Sequence, residues 1–302
     1  VYADSFSEIA IATSTGISAS YARSDAWCYS VAIAEDAGDT QVGFEFGLGR
    51  SLRELDPAGV GGRSAQRAVS VLGATKIPSA RMPIVFDPYT AAQFLGVIGS
   101  ALIGEAVQKG RSLFAGKVGE AVAGSLTLID DGTIAGAPGS SPWDDEGTPT
   151  RRTELIADGT LKGFLYDLVS ARRDGVASTG NASRAGFKSA PGAAPSNLAL
   201  ESTGESRDDL LQRAGDAFLV QDFHGVHAGA NSVSGDFSVG ATGRLLSGGA
   251  LGQPVKEVMI AAPMLEILAG VVAVADDRRW LPFGGSLGGA TTLVAEMTVA
   301  GH

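Results

Sequence analysis

The sequence predicts an α+β protein, a large and mostly antiparallel β-sheet domain with a few flanking helices. Three observations carry that reading. Several segments alternate apolar and polar residues with period two, as strands with one buried face do. Asp-Gly and Gly-Gly signals join pairs of these segments into hairpins. Helical spacing is confined to short stretches that open on Asp-Pro or Ser caps. No internal repeat and no sharp shift in composition divides the chain, so residues 1–302 read as one domain with room for subdomains.

In chain order, the first fifty residues form a meander. "EIAIAT" and "ISASYA" flank the turn signal Thr15-Gly16, then "WCYSVAIAE" and "QVGFEFGLG" follow. In the last of these, Val42, Phe44, Phe46 and Leu48 share the face expected to be buried, with Gly or Glu on the other. Asp56-Pro57 caps a helix with Ala65, Ala68, Val69 and Leu72 at helical spacing. "KIPSARMPIVFDP" reads as a strand whose prolines suit a sheet edge. Asp87-Pro88 starts a second helix, predicted to run on through "QFLGVIGSALIGEAVQKG", residues 93–110. "SLTLIDDGT" and "TELIADGTLKGFLYD" return to strands, the second a hairpin about Asp158-Gly159. A short helix from Leu168 to Asp174 stops at Gly175. "STGNASRAGFKSAPGAAPSN" has the composition of a long, functional or mobile loop. Ser206 caps another short helix, and "DAFLVQDF" is a strand. "GDFSVGATGRLL" and "PVKEVMIAA" form a hairpin across "SGG"; a helix from Pro263 to about Ala273 and the strand "TTLVAEMTVA" close the chain.

Composition excludes several function classes. A net charge of −10 repels phosphate backbones, so direct nucleic-acid binding is disfavoured. The longest apolar stretch, "AAPMLEILAGVVAVA", carries a charge and is too short for a membrane span. No basic segment followed by an apolar core opens the chain, so no secretion signal is expected. Cys28 is the single cysteine, which rules out an internal disulfide and any multi-cysteine zinc site and fits a reducing cytoplasm.

Candidate chemistry is sparse. His224 and His227 in "FHGVHAGAN" have Asp222 and Asp236 nearby, which raises a metal site as one reading. Gly225 argues against a helix there, and on a strand a three-residue separation turns the two rings to opposite faces. The plainer reading is one histidine hydrogen-bonded in a turn and the other exposed, with His302 terminal. No G-x-S-x-G elbow is present, and "GVGG" and "GGSLGG" lack the phosphate-cradle forms. The acidic run Asp144 to Glu146 could serve a divalent cation, though such runs are more often solvated loops. The helix over 93–110 contains no His, Cys or Asp. Residue chemistry alone therefore shows no catalytic constellation.

A resemblance carries the reading further. Asp144-x-Glu146-Gly147-x-Pro149-Thr150 is followed by a charged strand, an Asp-Gly turn, Tyr166-Asp167, Ser170-Ala171 and Ser178-Thr179-Gly180-Asn181. Together with the later "GANSVSGDFSVGATGRLL" and "EMTVAG", this succession resembles the TldD/PmbA family, in the same order over most of the chain. The resemblance covers the family's large C-terminal region; the family's N-terminal α/β domain is not in these residues, in keeping with a chain that begins at Val1.

The family implies a heterodimeric zinc peptidase of TldD-type and TldE (PmbA)-type subunits. In the TldD type, a helix carries H-E-x-x-x-H and a cysteine near the C-terminus adds a third ligand. Anchored on "GRSLFAG", that motif falls on Leu95, Gly96 and Ser100, and "LPFGGSLGGATT" offers no cysteine. The resemblance is thus to the non-metal TldE-type subunit, with no catalytic residue, metal ligand or cofactor of its own and with zinc expected in a TldD-like partner. Expected substrates are unfolded peptides, since family precedent includes maturation of peptide antibiotics and degradation of antitoxins. The older family name, modulator of DNA gyrase, reflects that indirect link. Ser178, Thr179, Gly180, Asn181, Arg184 and His227 are the candidates for substrate or interface contacts. Each also has a plain structural reading: turn chemistry for Gly180-Asn181, a solvated charge for Arg184, a turn histidine for His227. A different class remains open, a non-catalytic scaffold or peptide-binding protein without a peptidase partner. A homodimer in isolation fits either.

Overall fold

The computed structural model describes residues 1–14, 16–283 and 285–302. The turn signal at Thr15 and one glycine of "GGSLGG", Gly284, lie outside the described residues. Strands β1 (Tyr2–Ala12), β2 (Ser18–Asp36) and β3 (Asp39–Gly49) precede helix α1 (Pro57–Ser70), β4 (Ala80–Phe86), α2 (Pro88–Ala101) and α3 (Gly104–Gln108). Then come β5 (Leu128–Asp131), β6 (Arg152–Ala157), β7 (Thr160–Leu161), α4 (Leu168–Asp174), β8 (Ala182–Ser183), β9 (Gly192–Ala193) and β10 (Asn197–Leu200). The chain continues through α5 (Arg207–Ala214), β11 (Phe218–His224), α6 (Val226–Gly229), β12 (Asp236–Ser247), β13 (Ala250–Pro263) and α7 (Met264–Ala269). It ends with β14 (Val271–Val274), β15 (Arg279–Leu281), β16 (Ser286–Gly289) and β17 (Thr292–Ala300).

The fold is α+β, as predicted. β1, β2 and β3 form one antiparallel meander, and β2 fuses "ISASYA" and "WCYSVAIAE" into a single strand. One six-stranded sheet has the order β13-β12-β11-β4-β17-β14, and β13 also pairs with β17, so the sheet curls back on itself. The other has the order β15-β16-β10-β5-β6-β7, and β8 with β9 makes a small ribbon inside the predicted long loop. Among these pairings only β4 with β11 and β10 with β16 are parallel. Helix α2 packs between the two large sheets, against β4 and β11 of one and β10, β15 and β16 of the other. That position explains why it is apolar nearly all round. Among the described residues no helix is long and apolar enough to cross a membrane.

The local caps and turns form as the sequence predicts. Asp56 accepts from Gly59 N–H at 2.8 Å, Asp87 from Thr90 N–H at 2.9 Å and Ser206 from Asp209 N–H at 3.2 Å. Gly175 ends α4 in the left-handed region, and Asp158 and Gly159 take φ of 47° and 76°, the mirror-image turn that a two-residue hairpin needs.

Tertiary contacts overturn five expectations. The buried face of β3 is the glycine and glutamate face: α1 comes so close that a Cβ at Gly43 would lie 2.0 Å from the Ser64 carbonyl oxygen. Of the apolar face, Val42 is outward with its β2 neighbours Val31 and Ile33, at 59%, 54% and 67% exposure, while Phe44 packs on Tyr89 and Phe46 against the main core. For the same reason α1 buries Val60, Ser64 and Ala68, not Ala65 and Val69. β4 is interior, not an edge; Pro83 is tolerated because β11 pairs only from Ile84 onward and β17 bulges between Val294 and Met297. The second helix breaks at Leu102–Ile103, where Leu165 N–H donates to the Leu102 carbonyl at 2.9 Å and Gly104 N–H to the Leu165 carbonyl at 2.9 Å. The helix expected to reach Ala273 stops at Ala269, and the β-branched run Val271–Val274 pairs with β17 instead. In addition, the second strand of the Asp158-Gly159 hairpin, β7, is only two residues long.

Candidate functional site

The acidic run is spent on its own backbone. Asp144 Oδ1 accepts from the N–H groups of Glu146 (3.0 Å) and Thr148 (2.8 Å), and Oδ2 from Ala182 N–H at 3.0 Å. Burial pushes the Asp144 carboxyl up, against those three hydrogen bonds. Asp145 Oδ2 accepts from Arg184 N–H at 2.7 Å, and Glu146 Oε2 from Leu168 N–H at 2.8 Å at the start of α4. Half-exposed at Asp145 and Glu146, these carboxylates tie the loop to β8 and α4.

The stretch Ser178–Asn181 continues the same construction. Ser178 Oγ donates to the Tyr166 carbonyl at 3.1 Å and accepts from Gly180 N–H at 3.2 Å. Thr179 Oγ1 accepts from Tyr166 N–H at 2.8 Å and donates to the Tyr166 carbonyl at 3.1 Å. Gly180 has φ 76°, and a Cβ there would meet the Pro149 carbonyl oxygen at 2.4 Å, so both conformation and space demand glycine. Arg151 donates to the carbonyls of Ser178 and Thr179. Arg184 is exposed; its Nε donates to the Asp145 carbonyl at 3.1 Å and its Nη1 to the Ser189 carbonyl at 2.6 Å.

Asn181 Nδ2 donates to Asp130 Oδ2 at 2.6 Å, to the Ala194 carbonyl at 3.2 Å and to Ser196 Oγ at 3.3 Å. Asp130 is fully buried in β5 and also accepts from Ser196 N–H at 2.8 Å. Burial raises its carboxyl to about 6, against the downward pull of Asn181 and the Ser196 and Asn197 amides. Above this pair lies a cleft of about 370 Å³ lined by Tyr21, Arg23, Leu48, Trp143, Asn181 and Ser286, among others. From the β2 wall Arg23, paired within the strand with Asp25 at 2.7 Å, donates across to the Pro138 carbonyl at 3.0 Å. Asp130 and Ser286 are the residues that sequence reasoning missed. Both sit in short apolar or glycine-rich strands, and only the strand order β16-β10-β5 brings them to Asn181.

His227 does not belong to this constellation. It is exposed on α6, against β12 of the other sheet, while His224 Nε2 shares a hydrogen bond with Thr242 Oγ1 at 2.9 Å. One histidine is hydrogen-bonded, as expected, but it ends strand β11 and bonds across to β12 and not within a turn, and both histidines are exposed. Gly225, expected to prevent a helix, instead starts one: at φ 73° it is the N-cap of α6. Among the described residues no three His, Cys, Asp or Glu side chains gather as a metal would need.

The positions aligned with H-E-x-x-x-H also have a definite geometry. Leu95 is buried in the core, while Ser100 is exposed and donates to the Val97 carbonyl at 2.7 Å. A Cβ on Gly96 would lie 3.1 Å from Leu287 Cδ1 and 3.3 Å from the Phe283 carbonyl oxygen. The glycine-rich C-terminal stretch thus lies directly on α2, with Leu287 against the helix. These residues do not fit a zinc ion: one is apolar, one has no side chain, and one points its hydroxyl at its own helix.

Residues 79–301 match the family model described as the PmbA/TldA metallopeptidase C-terminal domain, and residues 1–72 that of the central domain. The chain belongs to the PmbA/TldD family. The metalloprotease PmbA of Escherichia coli O157:H7 is 28% identical over 90% of this chain and 58% of its own length. A metalloprotease TldD homolog of Haemophilus influenzae is 32% identical over 72% of this chain and 45% of its own. The chain therefore spans about half the length of these two relatives. Among family structures, TldE from Thermococcus kodakarensis superposes with a TM-score of 0.90 at 26% identity, over 99% of this chain and 68% of that one. A protein described as a modulator of DNA gyrase from Thermotoga maritima superposes with a TM-score of 0.91 at 30% identity, over 99% and 68%.

Proposed function

We propose that this chain is the non-metal-binding, TldE-type subunit of a two-chain metallopeptidase that acts on unfolded peptides. One observation supports it above the others: Leu95, Gly96 and Ser100 stand where the zinc motif would be, and Leu287 packs over Gly96. The relatives named as metalloproteases make peptide hydrolysis the relevant chemistry for the family. The zinc belongs to a TldD-like partner; this chain holds no cofactor, and the assembly works in the cytoplasm without membrane or nucleic acid. Its contribution is surface. β1 is an edge strand of eleven residues, open to an extended peptide through main-chain hydrogen bonds.

Co-purification with a TldD-like chain, and chelator-sensitive cleavage of an unstructured peptide only when both chains are mixed, is the expected result. Hydrolysis by the lone chain would sink the proposal. The outward apolar face at Val31, Ile33 and Val42 favours a second reading, a self-associating or peptide-binding scaffold. A homodimer that ignores every TldD-like chain would be its mark.

A further inference from the structure

The floor of the cleft contains two polar atoms that the fold leaves without partners. Asn181 Oδ1 and Ser286 Oγ are both buried, and among the described residues neither has a hydrogen-bond partner, although the residues are only 4% and 5% exposed. Burying such groups unpaired is costly, and most buried polar atoms in folded proteins are paired. The orientation of Asn181 is unambiguous. The Ala194 carbonyl only accepts, so the end facing it at 3.2 Å is the amide nitrogen and the other end is an acceptor. The two orphans flank one residue: Asn181 Nδ2 donates to Ser196 Oγ at 3.3 Å and Ser286 N–H to the Ser196 carbonyl at 3.3 Å. Around them the cleft is walled by Trp143, Tyr21, Leu48, Pro195 and Pro282.

We infer that this cleft is a binding pocket for one residue of an extended peptide, whose main-chain N–H donates to Asn181 Oδ1 and whose carbonyl accepts from Ser286 Oγ. A peptide unit supplies one donor and one acceptor on a neutral body. That matches an acceptor and a hydroxyl beside aromatic and apolar walls, with the charged residues of the lining, Arg23, Asp25, Asp144 and Asp145, already held by partners of their own. The pocket reads main chain and not side-chain identity, as a site for varied unfolded peptides requires. The inference rests on the peptide reading given above and adds a position to it.

The test uses a fluorescein-labelled unstructured peptide of alanine, serine and lysine, titrated into the chain and followed by anisotropy. Ser286→Ala removes an unpaired hydroxyl, so the empty protein keeps or gains stability in urea while peptide affinity falls about tenfold. Ser183→Trp, at an exposed cleft-lining position, fills the pocket and abolishes binding with little change in stability. A Ser286→Ala protein that is less stable but binds the peptide as before shows the hydroxyl to be structural and overturns the inference. So does unaltered binding by Ser183→Trp. If the lone chain binds no peptide while the two-chain mixture still cleaves one, the pocket fails and the proposed function stands; if the mixture also neither binds nor cleaves, both fail.

Discussion

Helix α2 and the turn Ser178–Asn181 are two places where the family resemblance raises an expectation of function, and the structure treats them in opposite ways. On α2 two of the three positions aligned with metal ligands are ordinary packing: Leu95 is in the core and Leu287 rests against Gly96. At the turn, polar groups are carried into the interior: the Asn181 amide meets the Asp130 carboxylate, Ser196 links Asn181 to Ser286, and pairing is left incomplete. The helix is settled by apolar contact, whereas the turn lies against buried polar groups of β5 and β16.

The sharpest way to break this contrast is to reinstall the motif. In Leu95→His/Gly96→Glu/Ser100→His, an imidazole must enter the core at Leu95. A carboxylate must also grow from Gly96, whose first carbon would already lie 3.1 Å from Leu287 Cδ1. Overpacking and burial of polar groups together predict a loss of about 4 kcal/mol or more and no stoichiometric zinc. Urea melts and elemental analysis check it; a stable, zinc-loaded variant would show that α2 retains the shape of a metal site.

The next effect belongs to the turn and is read in pH. The Asp130 carboxyl is raised to about 6 from an ordinary value of 3.8, so between those values the folded state holds a proton that the unfolded chain has lost. Stability from this group is therefore fully present below pH ~4 and falls as pH rises to ~6, by about 3 kcal/mol. In Asp130→Asn that fall disappears. Unfolding free energies of the two proteins across this range should diverge with pH, and parallel curves would show that the carboxylate is as well solvated by its partners as by water.

A smaller change tests how tightly the turn is held. Gly180→Ala places a Cβ 2.4 Å from the Pro149 carbonyl oxygen at φ 76° and should cost about 2 kcal/mol in a urea melt. A neutral substitution would mean that the loop moves aside freely, and the cleft floor would then be no rigid platform.

What could be read beforehand follows the range of the interaction. Caps at Asp56, Asp87 and Ser206, the stop at Gly175 and the Asp158-Gly159 turn are settled within four residues, and all were legible. The inverted face of β3 was not, because alternation tells which residues share a face and not which face a helix will cover; Gly43 permits α1 to approach the smaller side. The interior place of β4 and the break at Leu102 likewise depend on β11, β17 and Leu165, which are distant in sequence. At the cleft, Asn181 could be picked out by its motif, whereas Asp130 and Ser286 could not. An aspartate near the end of an apolar strand and a serine among glycines look like turn residues until the strand order places them on either side of β10.

His227 provides the smallest and most discriminating check on the comparison. It was grouped with Ser178, Thr179, Gly180, Asn181 and Arg184 as a candidate contact, yet it stands exposed on α6 against β12, away from the cleft-lining residues. An exposed side chain with no buried contacts contributes within about 0.5 kcal/mol, so His227→Ala should melt with the wild type. It should also leave peptide binding unchanged in the same anisotropy titration that Ser286→Ala weakens. Should His227→Ala instead weaken peptide binding while Ser286→Ala does not, the functional surface lies on the curled sheet that carries α6, and the buried polar floor is a matter of folding alone.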